Sequence, residues 1–256
     1  MIKLFLFDVD GTLIDTKTHI LPISCINALK QLQSKGYYVA ISSGRGLNSL
    51  KDTQIGKCIK WDLYLCNNGQ AIYDKNYQVV KEVYLEDESI KQAIKVANQR
   101  NQPLFMVSNN NFLCGEVSEE VIQTHQFLDL EIPKKQDYTS QKVIMMCAYD
   151  KKDYDYQDYN EINNLKAIPG LSTYADIVLK NYNKYEGVKY ALNYFKVDEY
   201  MAFGDSMNDY EMIEHATIGI CMENGCDELK QIATFVTKSV LEDGIQYALK
   251  KYQIIE

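Results

Sequence analysis

No run of about 18 apolar residues occurs in the 256-residue chain, which excludes a helical membrane span. The N-terminal apolar run is short and stops at Asp8, so the pattern of a secretory leader is missing and a cytoplasmic location is expected. Positive charge is scarce: 27 Lys and Arg face 35 Asp and Glu, for a formal net charge of -8. That balance argues against nucleic acid or an anionic membrane surface as a partner. Any anionic ligand must find a local positive site. The seven cysteines include no Cys-x-x-Cys pair. Cys221 and Cys226 stand closest, with no set of histidines around them, so all seven are expected as reduced thiols. The three histidines, His19, His125 and His215, are too scattered for a histidine-based site. No internal repeat and no low-complexity linker divides the chain.

What is there is an ordinary globular composition, 46% hydrophobic and 24% charged, long enough for a large core in one or two domains. The chain is organised around its first strand and the turn after it, Lys3-Leu4-Phe5-Leu6-Phe7-Asp8-Val9-Asp10-Gly11-Thr12-Leu13. The unbroken run Leu4 to Phe7 suits a strand buried on both faces of a parallel sheet. Two carboxylates then follow, Asp8 and Asp10, and a glycine that lets the backbone turn away. A buried strand running into Asp-x-Asp-Gly is costly unless the charges meet a cation or a polar pocket. A hard divalent cation such as Mg²⁺ meets that need.

Further along, Ile26, Leu29 and Leu32 recur at helical spacing, which predicts a helix from Ile23 to Lys35 stopped by Gly36. Tyr37 to Ile41 reads as a second strand, ending in Ser42-Ser43-Gly44-Arg45. A small hydroxyl and a glycine there can bring both Oγ and a backbone N–H close to an anion, and they also suit a plain turn. Gly44 and Gly46 lack the third glycine of a dinucleotide loop. Asp62 to Asn67 is a third buried strand, Asn68-Gly69 a turn, and Ala71–Tyr73 with Val79–Tyr84 a hairpin.

From Leu85 the texture changes. Helices are predicted at Glu86–Asn101, Glu119–Leu128 and, rich in tyrosine, Asp155–Leu165. Short strands are predicted at Pro103–Val107, Phe112–Val117 and Lys142–Ala148, and one or two over Leu171–Leu179, with turns at Asn109–Asn111 and Pro169-Gly170. This pattern is an α+β module set between the halves of an α/β domain.

The α/β pattern resumes at Asn183, an N-cap with Glu186 three residues on, opening a helix to Phe195. Lys184 sits in the first turn, where the helix dipole disfavours a cation by about 0.3–1 kcal/mol. A local rule broken at a helix start hints at function, although an exposed lysine tolerates that small cost. Tyr200 to Phe203 is the next strand, ending in Gly204-Asp205-Ser206-Met207-Asn208-Asp209. Ser206 with Asp209 can cap a helix from Met207 to Ala216, whereas Asp205 precedes the helix and is harder to explain structurally. Thr217–Met222, helix Asp227–Ala233, strand Phe235–Thr237 and helix Asp243–Tyr252 complete the domain.

Strands of a parallel sheet end at one rim, where ligands of open α/β sheets bind. That rim would gather Asp8, Asp10, Ser43, Asp205 and Lys184. Carboxylates alone repel a phosphate; a metal between them with a lysine opposite reverses the local sign. The set suits phosphoryl transfer, with a carboxylate nucleophile, a metal, a cation for the developing charge and a second carboxylate to move a proton.

The motifs Asp8-Val9-Asp10-Gly11-Thr12, Ser43-Gly44-Arg45, Lys184 and Gly204-Asp205-Ser206-Met207-Asn208-Asp209 arrive in the order of the haloacid dehalogenase (HAD) superfamily, which the chain resembles. Gly219-Ile220-Cys221-Met222-Glu223-Asn224 and Glu242-Asp243-Gly244 resemble its Cof-type subfamily. The resemblance implies a doubly wound, mainly parallel α/β core, Rossmann-like, at residues 1–84 and 182–256, with an inserted type II α+β cap domain at residues 85–181. It implies that Asp8 attacks phosphorus and that Asp10 serves as acid and base. Asp8, the backbone carbonyl of Asp10, and Asp205 would ligate Mg²⁺, with Asp209 beside them. Ser43, Gly44, Lys184 and Asn208 would hold the phosphoryl group, and Arg45 would contact phosphate or substrate. The expected activity is Mg²⁺-dependent hydrolysis of a small phosphomonoester, a sugar phosphate or a nucleotide-type cofactor, by a monomer or homodimer. A phosphosugar mutase and a non-catalytic ligand-binding relative are the alternatives. In two departures, serine replaces the commoner threonine at Ser43, and Tyr185 stands where the subfamily often has glycine.

Overall fold

β1 (Leu4–Phe7) is buried along its whole length, as an unbroken apolar run requires of a strand covered on both faces. The computed structural model describes residues 1–108, 110–127, 130–170 and 172–256. The expected turn at Asn109, helix end at Leu128 and strand start at Leu171 therefore lie outside the described residues. The chain folds as two units, Met1–Lys81 with Asn183–Glu256, and Glu82–Tyr182.

After β1 the chain forms α1 (Ile23–Ser34), β2 (Tyr38–Ser42), α2 (Gln54–Cys58), β3 (Leu63–Cys66), β4 (Ala71–Asp74) and β5 (Val79–Glu82). Thr53 caps α2 by accepting from the Gly56 N–H, a short helix that hydrophobic periodicity does not reveal.

The second unit contains α3 (Asp87–Arg100), β6 (Leu104–Val107), β7 (Phe112–Cys114), α4 (Glu119–Phe127), β8 (Met145–Tyr149), α5 (Gln157–Asn160), β9 (Leu165–Pro169) and β10 (Tyr174–Leu179). Its strands make an antiparallel sheet in the order β7-β6-β8-β10-β9. Ile90, Ala93 and Ala97 of α3 pack on one face of that sheet with Met106, Met146 and Ile177; Val121 of α4 packs on the other with Cys147 and Tyr149. The expected tyrosine-rich helix Asp155–Leu165 is cut to α5, and its end becomes the start of β9. Tyr156 at φ 50° and Asn164 at φ 62° lie in the left-handed region, which does not propagate a helix. The Asn160 side chain accepts from the Ala167 N–H instead, while Leu165 and Ala167 alternate into the core.

The chain then returns to the first unit as α6 (Lys184–Phe195), β11 (Tyr200–Gly204), α7 (Tyr210–Glu214), β12 (Ile218–Cys221), α8 (Asp227–Ile232), β13 (Phe235–Val236) and α9 (Gly244–Lys251). The eight-stranded sheet runs β13-β12-β11-β1-β2-β3-β4-β5. Every pairing from β13 to β3 is parallel, and β4 is antiparallel to β3. The chain winds outward through β2 and β3, then restarts at β11 on the other flank of β1. The strand order therefore reverses between β1 and β11, the point where such sheets open a crevice at their carboxyl ends. Phe7 and Phe203 stack there with ring centroids 4.8 Å apart, fixing the two strand ends that deliver Asp8 and Asp205. Among the described residues no helix is long and apolar enough to cross a membrane.

Candidate active site

Asp8 leaves β1 with its backbone N–H donating to the Phe203 carbonyl at 3.0 Å, so it stays in register with β11. Three residues on, Gly11 has φ +81°, and a Cβ there would lie 2.2 Å from Asp205 Oδ2. Only glycine lets the first loop pass so close to the carboxylate of the other strand. Asn224 Nδ2 donates to the Gly11 carbonyl at 2.8 Å and holds the loop down.

Lys184 is almost fully buried, at 1% exposure. Its Nζ donates to Asp8 Oδ1 at 2.6 Å and to Asp209 Oδ1 at 2.7 Å. The two carboxylates offset the unfavourable place of a cation in the first turn of α6, whose N-cap Asn183 accepts from the Glu186 N–H. Tyr185 fits that turn by stacking its ring on His215 at 4.3 Å. Asp209 has two tasks. Its Oδ1 meets Lys184, and its Oδ2 accepts from the N–H groups of Asp205 and Ser206 at 3.0 and 3.2 Å, completing a capping box with Ser206.

The electrostatics follow from burial. Desolvation pushes the Asp8 carboxyl up to about 7; Lys184 works against this, while Asp209 and Asp10 add to it. Desolvation also pushes Asp205 up to about 9, reinforced by Asp8 and Asp209. Burial opposes the charged form of Lys184, but Asp209 and Asp8 outweigh it and hold its pKa above the ordinary lysine value. One ammonium therefore faces three carboxylates that repel one another.

Asp8, Asp205 and Asp209 each offer an oxygen, and these atoms lie within 4.8 Å of one another. A set of hard oxygen donors with surplus negative charge, two of them (Asp8 and Asp205) with raised pKa values, fits a divalent cation of the Mg²⁺ type. Among the described residues, the Asp10 side chain is not part of this group. Its two oxygens are held by Arg45, with Nε to Oδ2 at 2.7 Å and Nη2 to Oδ1 at 2.6 Å, a bidentate fork. The Arg45 N–H donates to Ser43 Oγ at 3.1 Å. Asn208 takes the Ser206 hydroxyl on its Oδ1 at 2.7 Å and gives its Nδ2 to Asn68 Oδ1 at 3.2 Å. A Cβ on Gly44 would meet both asparagines, at 3.4 to 3.8 Å.

Asp8, Asp205, Asp209 and Lys184 thus form one cluster, Asp10, Arg45 and Ser43 a second, and Gly44 and Asn208 a third that also includes Asn68. Sequence reasoning treats Asn68 only as a turn residue. The signal that could have found it is its place directly after a buried strand, as for Asp8 and Asp205.

A family model described as haloacid dehalogenase-like hydrolase matches residues 5–249. The chain belongs to this family. YkrA of Bacillus subtilis (strain 168) is 30% identical over 261 residues, covering 99% of each chain. The 5-amino-6-(5-phospho-D-ribitylamino)uracil phosphatase YcsE of the same organism is 26% identical, covering 98% of this chain and 96% of its own. Among solved structures, the HAD phosphatase BT1666 from Bacteroides thetaiotaomicron superposes with a TM-score of 0.89 at 26% identity, covering 100% of this chain and 96% of that one. The HAD subclass IIB sugar phosphatase BT4131 superposes with a TM-score of 0.87 at 25% identity, covering 99% and 100%. The chain is a HAD-type phosphoric monoester hydrolase with the fold of these neighbours.

Proposed function

We propose that this HAD hydrolase removes phosphate from a small phosphomonoester, with Mg²⁺, through a phosphorylated Asp8. The observation that carries this reading is the buried Lys184 bridge between Asp8 and Asp209, beside a carboxylate group suited to a divalent cation. Asp8, Asp205, Asp209 and the Asp10 backbone carbonyl would hold Mg²⁺, which would neutralise charge on the phosphoryl oxygens.

In the first half-reaction an Asp8 oxygen forms a bond to phosphorus and the ester P–O bond breaks. The leaving oxygen takes a proton from Asp10. In the second, Asp10 accepts a proton from water as the water oxygen bonds to phosphorus and the Asp8–phosphorus bond breaks, releasing inorganic phosphate. Lys184, the Ser43 hydroxyl, the Gly44 N–H and Asn208 hold the phosphoryl oxygens. The Arg45 fork fixes the orientation of the Asp10 carboxyl group that moves the proton.

The unit Glu82–Tyr182 serves as the cap that chooses the leaving group. The named activities of YcsE and BT4131 favour a sugar phosphate or a nucleotide-type cofactor as substrate.

Phosphate release from a panel of phosphomonoesters tests this reading, run with Mg²⁺, with EDTA and with Asp8→Asn. Release that requires Mg²⁺ and vanishes in the variant supports it. No release from any ester by folded, metal-loaded enzyme would overturn it, and recovery of an isomeric sugar phosphate would replace hydrolysis by a mutase reaction.

A further inference from the structure

Asn67, Asn68 and Gly69 follow β3 with φ values of 52°, 54° and 87°, three left-handed residues in succession. Glycine adopts this conformation most readily, and asparagine is the side chain that tolerates it best. A side chain kept at position 68 against that preference calls for a use. Asn68 is buried, at 5% exposure. Its backbone N–H donates to the Ser43 carbonyl at 3.0 Å, which ties it to the loop that carries the Ser43 hydroxyl and Gly44. The next residue, Gly69, packs backbone to backbone on α6: a Cβ on Gly187 would lie 2.9 Å from Gly69 Cα. The turn is therefore clamped between the Ser43 loop and the helix that carries Lys184.

The Asn68 carboxamide has a definite polarity. Ser206 Oγ donates to Asn208 Oδ1, and Asn208 Nδ2 donates to Asn68 Oδ1. This relay consumes the oxygen of Asn68 and leaves its Nδ2 with no acceptor among the described residues. The nitrogen lies beside Gly44, 3.7 Å from where a Cβ on that glycine would sit, with Asn208 Nδ2 at 3.8 Å. Two amide nitrogens, with Asn68 Oδ1 at 3.4 Å already turned to Asn208, thus border a space that any residue but glycine would fill. The nearby cations are shared with carboxylates, Lys184 with Asp8 and Asp209, and Arg45 with Asp10, so they supply only part of what an oxyanion needs. Neutral N–H donors beside Gly44 add to the Lys184 ammonium, and a hydrogen bond to a charged oxygen is stronger than one to a neutral acceptor.

We propose that Asn68 is a phosphate-binding residue, its Nδ2 donating to a phosphoryl oxygen above Gly44 and its Oδ1 orienting Asn208 for the same group. The proposal deepens the phosphatase reading and rests on it for the identity of the anion. The test uses the Mg²⁺-loaded full chain, inorganic phosphate as probe by calorimetry, and p-nitrophenyl phosphate for kinetics. Asn68→Gly keeps the left-handed backbone and removes the amide. Asn68→Asp keeps the shape and replaces the donor by an acceptor.

Asn68→Gly is expected to raise the Kd for phosphate and the KM about tenfold, with an unchanged or higher Tm. Asn68→Asp is expected to raise both further. Phosphate affinity within about twofold of wild type in either folded variant would overturn the proposal. Wild type that turns over no ester, yet binds phosphate in an Asn68-dependent way, would remove the phosphatase reading and leave Asn68 as an anion ligand.

Discussion

The Lys184 ammonium donates to Asp8 Oδ1 at 2.6 Å, a buried ion pair joining the helix that reopens the first unit to the strand that begins it. The same nitrogen meets Asp209, so one cation neutralises charges from β1 and from the loop after β11. Removing one partner of such a cluster leaves buried charge without compensation, which typically costs about 3–5 kcal/mol. Lys184→Met is expected to destabilise the protein by about that amount at pH 8. The loss should shrink at pH 6, because Asp8, already raised to about 7 with the lysine present, rises further without it and takes up a proton. Urea unfolding at the two pH values checks this. Equal losses would mean that Asp8 does not titrate in this range.

Mg²⁺ should raise Tm in a pH-dependent manner. The folded-state pKa values of Asp8 and Asp205 are raised, to about 7 and about 9. The metal-free fold therefore binds more protons than the unfolded chain, and its stability falls as pH rises from about 4 through these values. A cation that takes deprotonated oxygens competes with those protons. Its stabilisation should be smaller at pH 6 than at pH 8.5, and reach about 2.7 kcal/mol at a hundredfold excess over Kd. EDTA should reverse the shift and Asp205→Asn should remove most of it, both read by thermal melting. A shift independent of pH would argue that the cation binds elsewhere.

The core was legible where the chain breaks a local rule. Leu4–Phe7 runs apolar straight into Asp8, and Lys184 places a cation at a helix start; each conflict is relieved by the other's charge. Asn68 obeys its local rule as an Asn-Gly turn, and its amide gains meaning only when β2, β3 and β11 end at one rim. The Arg45 fork on Asp10 joins two motifs whose pairing no periodicity encodes. The helix expected over Asp155–Leu165 failed because Tyr156 and Asn164 take left-handed backbone, a choice set by burying Tyr156, Tyr159 and Leu165 in one core.

Gly11 and Gly36 separate backbone strain from crowding. Their φ values are alike, +81° and +78°, but a Cβ at Gly11 would strike Asp205 while one at Gly36 would meet nothing within 4 Å. Gly36→Ala is expected to cost about 1 kcal/mol from strain alone and to leave turnover intact. Gly11→Ala should cost more and also displace Asp205, weakening Mg²⁺ binding. Parallel melts with and without Mg²⁺ test the pair. Similar Mg²⁺ shifts in both variants would mean that the Gly11 loop does not constrain Asp205.

Asp176 is a second conflict, in the other unit. It lies on β10 opposite Cys147 of β8 and Ile168 of β9, and among the described residues its carboxylate has no ion-pair or hydrogen-bond partner. Desolvation pushes its pKa up to about 7. The folded state therefore binds a proton that the unfolded chain releases near pH 4, and stability falls as pH rises between these values. Asp176→Asn keeps the shape and removes the titration. Relative to wild type it should gain stability as pH rises from 4 to 7, by about 1.4 kcal/mol per pH unit, and hold the gain above, on the order of 4 kcal/mol at pH 8. Melting of both proteins at pH 5 and pH 8 decides the matter. A difference that does not grow with pH would mean that water or a partner group already solvates the carboxylate, and that this face of the sheet carries its charge without cost.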